Sequence, residues 1–157
     1  MMSKKPITEA EIKAAQVAWG NGLVAIATAH DKGEDYGPVA QNVLDTIYGY
    51  KDGVVLFKPT LASKVPYRFV EADAASYFIG GHIDEDGGFA LKSWVKVVFE
   101  DDGKCILNGD TALWMGSVSI TNSKGEVTRV HKTMGYYRDD KGDVRLQLHH
   151  SSVPFSS

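Results

Sequence analysis

Apolar positions recur every three or four residues in the first third of the chain and every second residue in its last third. Ile12, Ala15, Trp19, Leu23 and Ile26 share one helical face, which predicts a helix. It opens at the capping box Thr8-Glu-Ala-Glu11 and stops at Asp31-Lys-Gly33. Gly20 and Gly22 lie inside it. Each lowers helicity by about 1 kcal/mol relative to Ala and leaves room for a close neighbour. A second helix is predicted from Asp35, with Pro38 in its first turn, through Val39, Val43, Leu44 and Ile47 to Gly49. Val54–Phe57 predicts a short strand, and Pro59–Pro66 a loop. Glu71–Phe78 predicts a third helix stopped by Gly80-Gly81, and His82–Gly88 is an acidic loop, either solvated or a mobile lid.

From Phe89 the period becomes two. Strands are predicted near 89–99, 106–121, 126–138 and 144–153, joined by the glycine turns 101–103, 122–125 and 139–142 as successive hairpins. Helices first and strands after predict an α+β fold, with N-terminal helices packed on one face of an antiparallel sheet. One domain is expected over residues 1–157, with 1–7 flexible.

Alternation assigns the faces. Asp110, Ala112, Trp114, Gly116 and Val118 face inward, with Val130, Lys132, Met134 and Tyr136 beside them. On the last strand Val144, Leu146, Leu148, His150 and Ser152 fall inward, and Arg145, Gln147, His149 and Ser151 outward. On the first long strand Phe89, Leu91, Val95, Val97 and Phe99 are inward. A bulge would invert part of any set. A closed core should avoid Asp110, Lys132 and His150, so a cavity is expected. A solvated face should avoid Trp94, Leu113, Met115 and Tyr137, which predicts a homodimer through the outer sheet face.

Composition narrows the chemistry. The balance of 43% hydrophobic and 24% charged residues is that of a globular protein. Net charge is −3, with scattered Lys and Arg, which disfavours nucleic acid. No apolar run approaches the roughly 20 residues of a membrane span, and no signal peptide is read at the N-terminus. With a single cysteine, Cys105, a cytoplasmic protein is expected. His149 and His150 are adjacent on a strand and point to opposite faces, so they cannot chelate one ion. No metal or cofactor is expected, and no dinucleotide or phosphate-loop fingerprint occurs. His150 is a candidate acid, base or donor, or a satisfied buried histidine. Lys132 either pairs with Asp110, snorkels to a rim, meets an anionic ligand or acts as a neutral amine. Phe78, Trp114, Met134 and Tyr136 would form a soft cavity wall.

Several runs resemble the nuclear transport factor 2-like superfamily, which includes SnoaL-like and ketosteroid-isomerase-like proteins. They are Asp110-Thr-Ala112, Thr133–Tyr136, Arg138-Asp-Asp-Lys-Gly142 and above all His149-His-Ser-Ser-Val-Pro154. The last is similar to the His-x-Ser-Gly-Ala-Pro ending of the calcium/calmodulin-dependent protein kinase II association domain and its bacterial look-alikes. Leu56–Thr60, Ser76–Gly81 and Gly88-Phe-Ala90 are similar to those bacterial proteins. The resemblance implies a cystatin-like cone, strongly curved, with a pocket between sheet and helices. The kinase domain's pocket arginines would fall at Val118, Met134 and His150. Catalytic members imply a carboxylate base, for which Asp110 is the inward candidate, and an oxyanion donor such as Tyr136. Three functions are therefore expected as alternatives. One is a small-molecule-binding or association domain, one an isomerase or cyclase using His150 or Asp110 with Tyr136, and one a structural oligomerisation domain.

Overall fold

The computed structural model describes residues 3–157. Helix α1 spans Glu9–Asp31 and opens on the expected capping box, Glu11 N–H donating to Thr8 Oγ1 at 3.2 Å and Thr8 N–H to Glu11 Oε1 at 3.1 Å. Its buried side holds Ile12, Trp19, Leu23 and Ile26, with Gln16 and Gly20. Val97 packs onto Gly20 and Val43 onto Gly22, so these glycines set how closely the sheet and the second helix approach. Helix α2 spans Gly37–Ile47, with Pro38 in its first turn. Strand β1 is Leu56–Lys58, and α3 is Glu71–Ile79, ended by Gly80 at φ 77°. The remaining strands are β2 Trp94–Phe99, β3 Lys104–Asn108, β4 Thr111–Asn122, β5 Val127–Arg138 and β6 Val144–Ser152.

The fold is α+β, three helices on a six-stranded sheet ordered β1-β6-β5-β4-β2, with β3 also on β4. Two details differ from a pure meander. β1 pairs with β6 in parallel, Phe57 opposite His149. The 101–103 turn is not a hairpin: β2 pairs with β4 at 118–122 and β3 pairs with it at 111–115. The hairpin lies instead at Asn108-Gly109-Asp110, where Gly109 takes φ 63°. The strand expected from Phe89 begins only at Trp94, because Phe89–Leu91 close a 3₁₀ turn between Gly88 and Ser93, both at positive φ.

Two bulges overturn parts of the face count. One between Trp94 and Lys96 turns Trp94 inward, its Nε1–H bonded to Phe89 O at 2.7 Å, and leaves Val95 exposed. Trp94 is therefore core, not outer face. Leu113 and Met115 are exposed there, while Tyr137 is half-buried with its hydroxyl on Asp52. The second bulge lies on β6, where Tyr136 faces Leu146 but Gly135 faces Leu148. Gln147 is the extra residue, and from there inward and outward exchange.

The start of the chain, expected to be flexible, is tied down from Lys5. Arg138 donates to Lys5 O and Pro6 O, and Ile7 is buried with its N–H on Gly109 O. Met1 and Met2 lie outside the described residues. Among those described, no helix is long and apolar enough to cross a membrane.

Candidate functional site

The β6 bulge brings His149 and Ser151 inward, beside Lys132 of β5. Register places Met134 opposite His149 and Lys132 opposite Ser151. Parallel pairing of β1 lays the Phe57 ring on His149, centroids 4.8 Å apart. The chain then leaves β1 through Pro59 and sets Thr60 Oγ1 at 2.7 Å from Ser151 Oγ. α1 contributes Trp19, the residue after α2 is Tyr48, and α3 contributes Tyr77 and Phe78.

These polar groups are continuous. Trp19 Nε1 lies 2.9 Å from Tyr48 OH, and Tyr48 OH 2.9 Å from His149 Nδ1. His149 Nε2 is 2.9 Å from Lys132 Nζ, which is 3.2 Å from Ser151 Oγ. The amine also sits 4.6 Å above the Trp19 ring centroid. Burial depresses Lys132 to about 7. Burial, then the charges of Lys132 and His150, hold His149 well below the usual imidazole value. Burial raises Tyr48 well above an ordinary phenol and Tyr77 to about 12. The imidazole is therefore uncharged near neutrality, while the amine exchanges its proton there.

Between them and the rings of Trp19, Phe57, Phe78 and Phe89 lies a cavity of about 10 Å³, with Pro59, Thr60 and Tyr77 on its wall. That is room for the centre of one water-sized molecule. A larger open groove of about 1360 Å³ runs between α1 and the β2–β3 edge. It holds none of this cluster.

The segment carrying Thr60 is clamped. Arg68 and Asp86 are fully buried and paired in two bonds of 2.6 and 2.8 Å, and Ser76 Oγ donates to Asp86. Glu85 accepts from Val65 N–H and Ser63 N–H, which holds its carboxyl down at about 2. The acidic loop is thus a built contact rather than a solvated one. Tyr77 OH accepts from Leu61 N–H at 3.2 Å, fixing the same segment from inside.

Of the residues singled out from sequence, Lys132 and Phe78 line the cavity. Met134 and Tyr136 are buried but bond each other, Tyr136 OH donating to Met134 Sδ at 3.2 Å. Trp114 lies in the groove against Phe99. His150 is exposed because of the β6 bulge, and Asp110 is exposed in the 108–110 turn, so Lys132 has no partner in Asp110. His150, Asp110 and Tyr136 do not converge on one point. Trp19, Tyr48, Phe57, Thr60, Tyr77, His149 and Ser151 escaped the alternation count. His149 and Ser151 fall within the His-x-Ser ending and Thr60 within the Leu56–Thr60 run, likenesses from which the sequence reading draws no site role. Among the described residues no three His, Cys, Asp or Glu side chains converge as metal ligands.

The fold is the cone seen in nuclear transport factor 2-like proteins, with the small cavity between helices and sheet. A sequence-family model described as metal-independent carbonic anhydrase matches residues 10–153, and the chain belongs to that family. A metal-independent carbonic anhydrase of Nostoc sp. (strain PCC 7120 / SAG 25.82 / UTEX 2576) is 46% identical over 156 residues, 96% of this chain and 76% of the relative. The crystal structure of a cyanobacterial iota-carbonic anhydrase complexed with bicarbonate is 42% identical. Its TM-score is 0.94, over 100% of this chain and 98% of that one. A calcium/calmodulin-dependent protein kinase II association domain from Xanthomonas campestris is 22% identical, with TM-score 0.63 over 100% and 99%. The kinase-association likeness holds for the fold; the family is the carbonic anhydrase one.

Proposed function

We propose that this chain catalyses the reversible hydration of carbon dioxide to bicarbonate and a proton, at the cavity bounded by Thr60, Tyr77, Lys132, His149 and Ser151. The observation that carries this reading is a buried amine titrating near 7, set among hydroxyls at a small cavity, in a chain of that family. Carbon dioxide is small, linear and without charge, so the rings of Phe57, Phe78 and Phe89 suit it. The attacking water loses a proton as its oxygen bonds to carbon. An amine titrating near 7 is a base matched to neutral pH, and the Lys132 lone pair takes that proton. As the C–O bond forms, one C=O π pair moves onto oxygen. Thr60 and Tyr77 are placed to donate to it; the Tyr77 oxygen is already occupied by Leu61 N–H, leaving its own proton available. Bicarbonate then departs, and the Lys132 ammonium returns its proton to solvent.

Stopped-flow measurement of carbon dioxide hydration tests this. Thr60→Val and Tyr77→Phe are each expected to lower kcat/KM by about 10²-fold, the scale of losing one oxyanion donor. Wild-type rates retained in both variants would place the chemistry elsewhere.

A further inference from the structure

The direction of each hydrogen bond from Trp19 to Lys132 is fixed by the donor at its start. Trp19 Nε1 is a donor only, so Tyr48 OH accepts from it at 2.9 Å. The Tyr48 proton then has one acceptor among the described residues, His149 Nδ1 at 2.9 Å. A neutral imidazole accepting at Nδ1 carries its hydrogen on Nε2. That hydrogen points at Lys132 Nζ, 2.9 Å away, and only an amine with a free lone pair can accept it. Lys132 in turn donates to Ser151 Oγ at 3.2 Å; Ser151 Oγ and Thr60 Oγ1 lie 2.7 Å apart, where either hydroxyl can donate.

We infer that Trp19 and Tyr48 are positioning residues for the base: a one-way chain, Trp19 to Tyr48 to His149 to Lys132, holds Lys132 as an amine that donates on to Ser151. This rests on the hydration reading above.

The opposite direction fails at a nameable atom. If Lys132 were an ammonium donating to His149 Nε2, His149 would carry its hydrogen on Nδ1 and donate to Tyr48. Tyr48 oxygen would then accept twice, and its own buried proton would have no acceptor, since Trp19 Nε1 offers none. A buried donor left without a partner is disfavoured, as is a buried ammonium without a counter-ion. Lys132 forms no ion pair among the described residues. The titratable groups packed around the pair are Tyr48 after α2, Lys58 on β1, Tyr77 on α3 and His150 on the opposite side of β6. None of these is a carboxylate. The chain therefore makes Lys132 a weak base by geometry as well as by burial, and it returns its proton readily after each turnover.

The test has two arms. In ¹⁵N-histidine-labelled wild-type protein, with His149 assigned by comparison with His149→Gln, the ring nitrogens are expected to report Nε2–H at neutral pH. An Nδ1–H tautomer or an imidazolium would overturn the relay, whatever the activity. In Tyr48→Phe, either tautomer leaves one ring nitrogen unsatisfied, so the preference for the amine weakens. The acid limb of the kcat/KM–pH profile is expected to move about one unit alkaline of its wild-type position near 7. A structural role alone would lower kcat/KM without moving the limb, and an unmoved limb in folded protein also overturns the relay. Should Tyr48→Phe fail to fold, the tautomer measurement decides. Absent hydration with an Nε2–H His149 would instead sink the hydration reading and leave the relay standing.

Discussion

Lys132→Met is expected to abolish hydration and yet make the protein more stable at neutral pH. The buried amine titrates near 7 where an ordinary lysine titrates at 10.5, which corresponds to on the order of 4 kcal/mol spent keeping it uncharged. Methionine has a similar unbranched length and no charge to neutralise. It also removes the acceptor for His149 Nε2–H and the donor to Ser151, which costs about 1–2 kcal/mol. A net gain of about 2 kcal/mol is expected below pH 7. The sign follows from proton counts. Between about 7 and 10.5 the unfolded wild-type chain binds one proton that the native state does not. Wild-type stability therefore rises with pH across that window, while the variant lacks this slope. Above the window the wild type should be the more stable of the two. Urea unfolding from pH 6 to 11 checks both the gain and the crossing. A variant destabilised at every pH would mean that Lys132 is charged in the native state.

The largest loss is expected at Asp86. Replacing it by alanine removes the close partner of the buried Arg68 guanidinium and leaves it Glu85 at 4.0 Å and its bonds to Val65 O and Asp73 O. Removing one partner of a buried pair costs about 3–5 kcal/mol. Hydration should fall as well, because the clamp sets the segment that carries Thr60 over Ser151. Arg68→Met combined with Asp86→Leu, which removes both charges, should cost less than Asp86→Ala alone. If the double variant is the worse of the two in urea unfolding, the contact acts through packing rather than through its charges.

The helices were legible because their signals are local. The Thr8–Glu11 capping box, Pro38 and Gly80 each act within one turn of the residue they describe. The strands were legible as a change of period, but their faces were not wholly so. Alternation counts parity, and a single inserted residue reverses it. Gln147 is such a residue: it sends His150 to solvent and brings His149 and Ser151 to the cavity. Nothing in Leu146-Gln-Leu148 announces a bulge. The His-x-Ser likeness spans His149 and Ser151, but it speaks for the family alone, and its carry-over puts His150 in the pocket. A bulge at Val95 misplaced Trp94 in the same way. Thr60 and Phe57 were hidden for a different reason. They reach the site only because β1 pairs in parallel with a strand some ninety residues later, a long-range contact with no local pattern. Lys132 was the exception, since a lysine on an apolar face is anomalous under any register.

The reading stands most directly on ¹⁸O exchange between labelled carbon dioxide and water, followed by mass spectrometry at chemical equilibrium. It is best run on protein stripped of metal with chelator and confirmed by elemental analysis. Wild-type protein is expected to deplete ¹⁸O from carbon dioxide well above the buffer rate, chelation to leave that rate unchanged, and Lys132→Met to return it to the buffer value. Depletion by the wild type no faster than buffer, or wild-type rates in Lys132→Met, would contradict a hydration site built on the Lys132 amine.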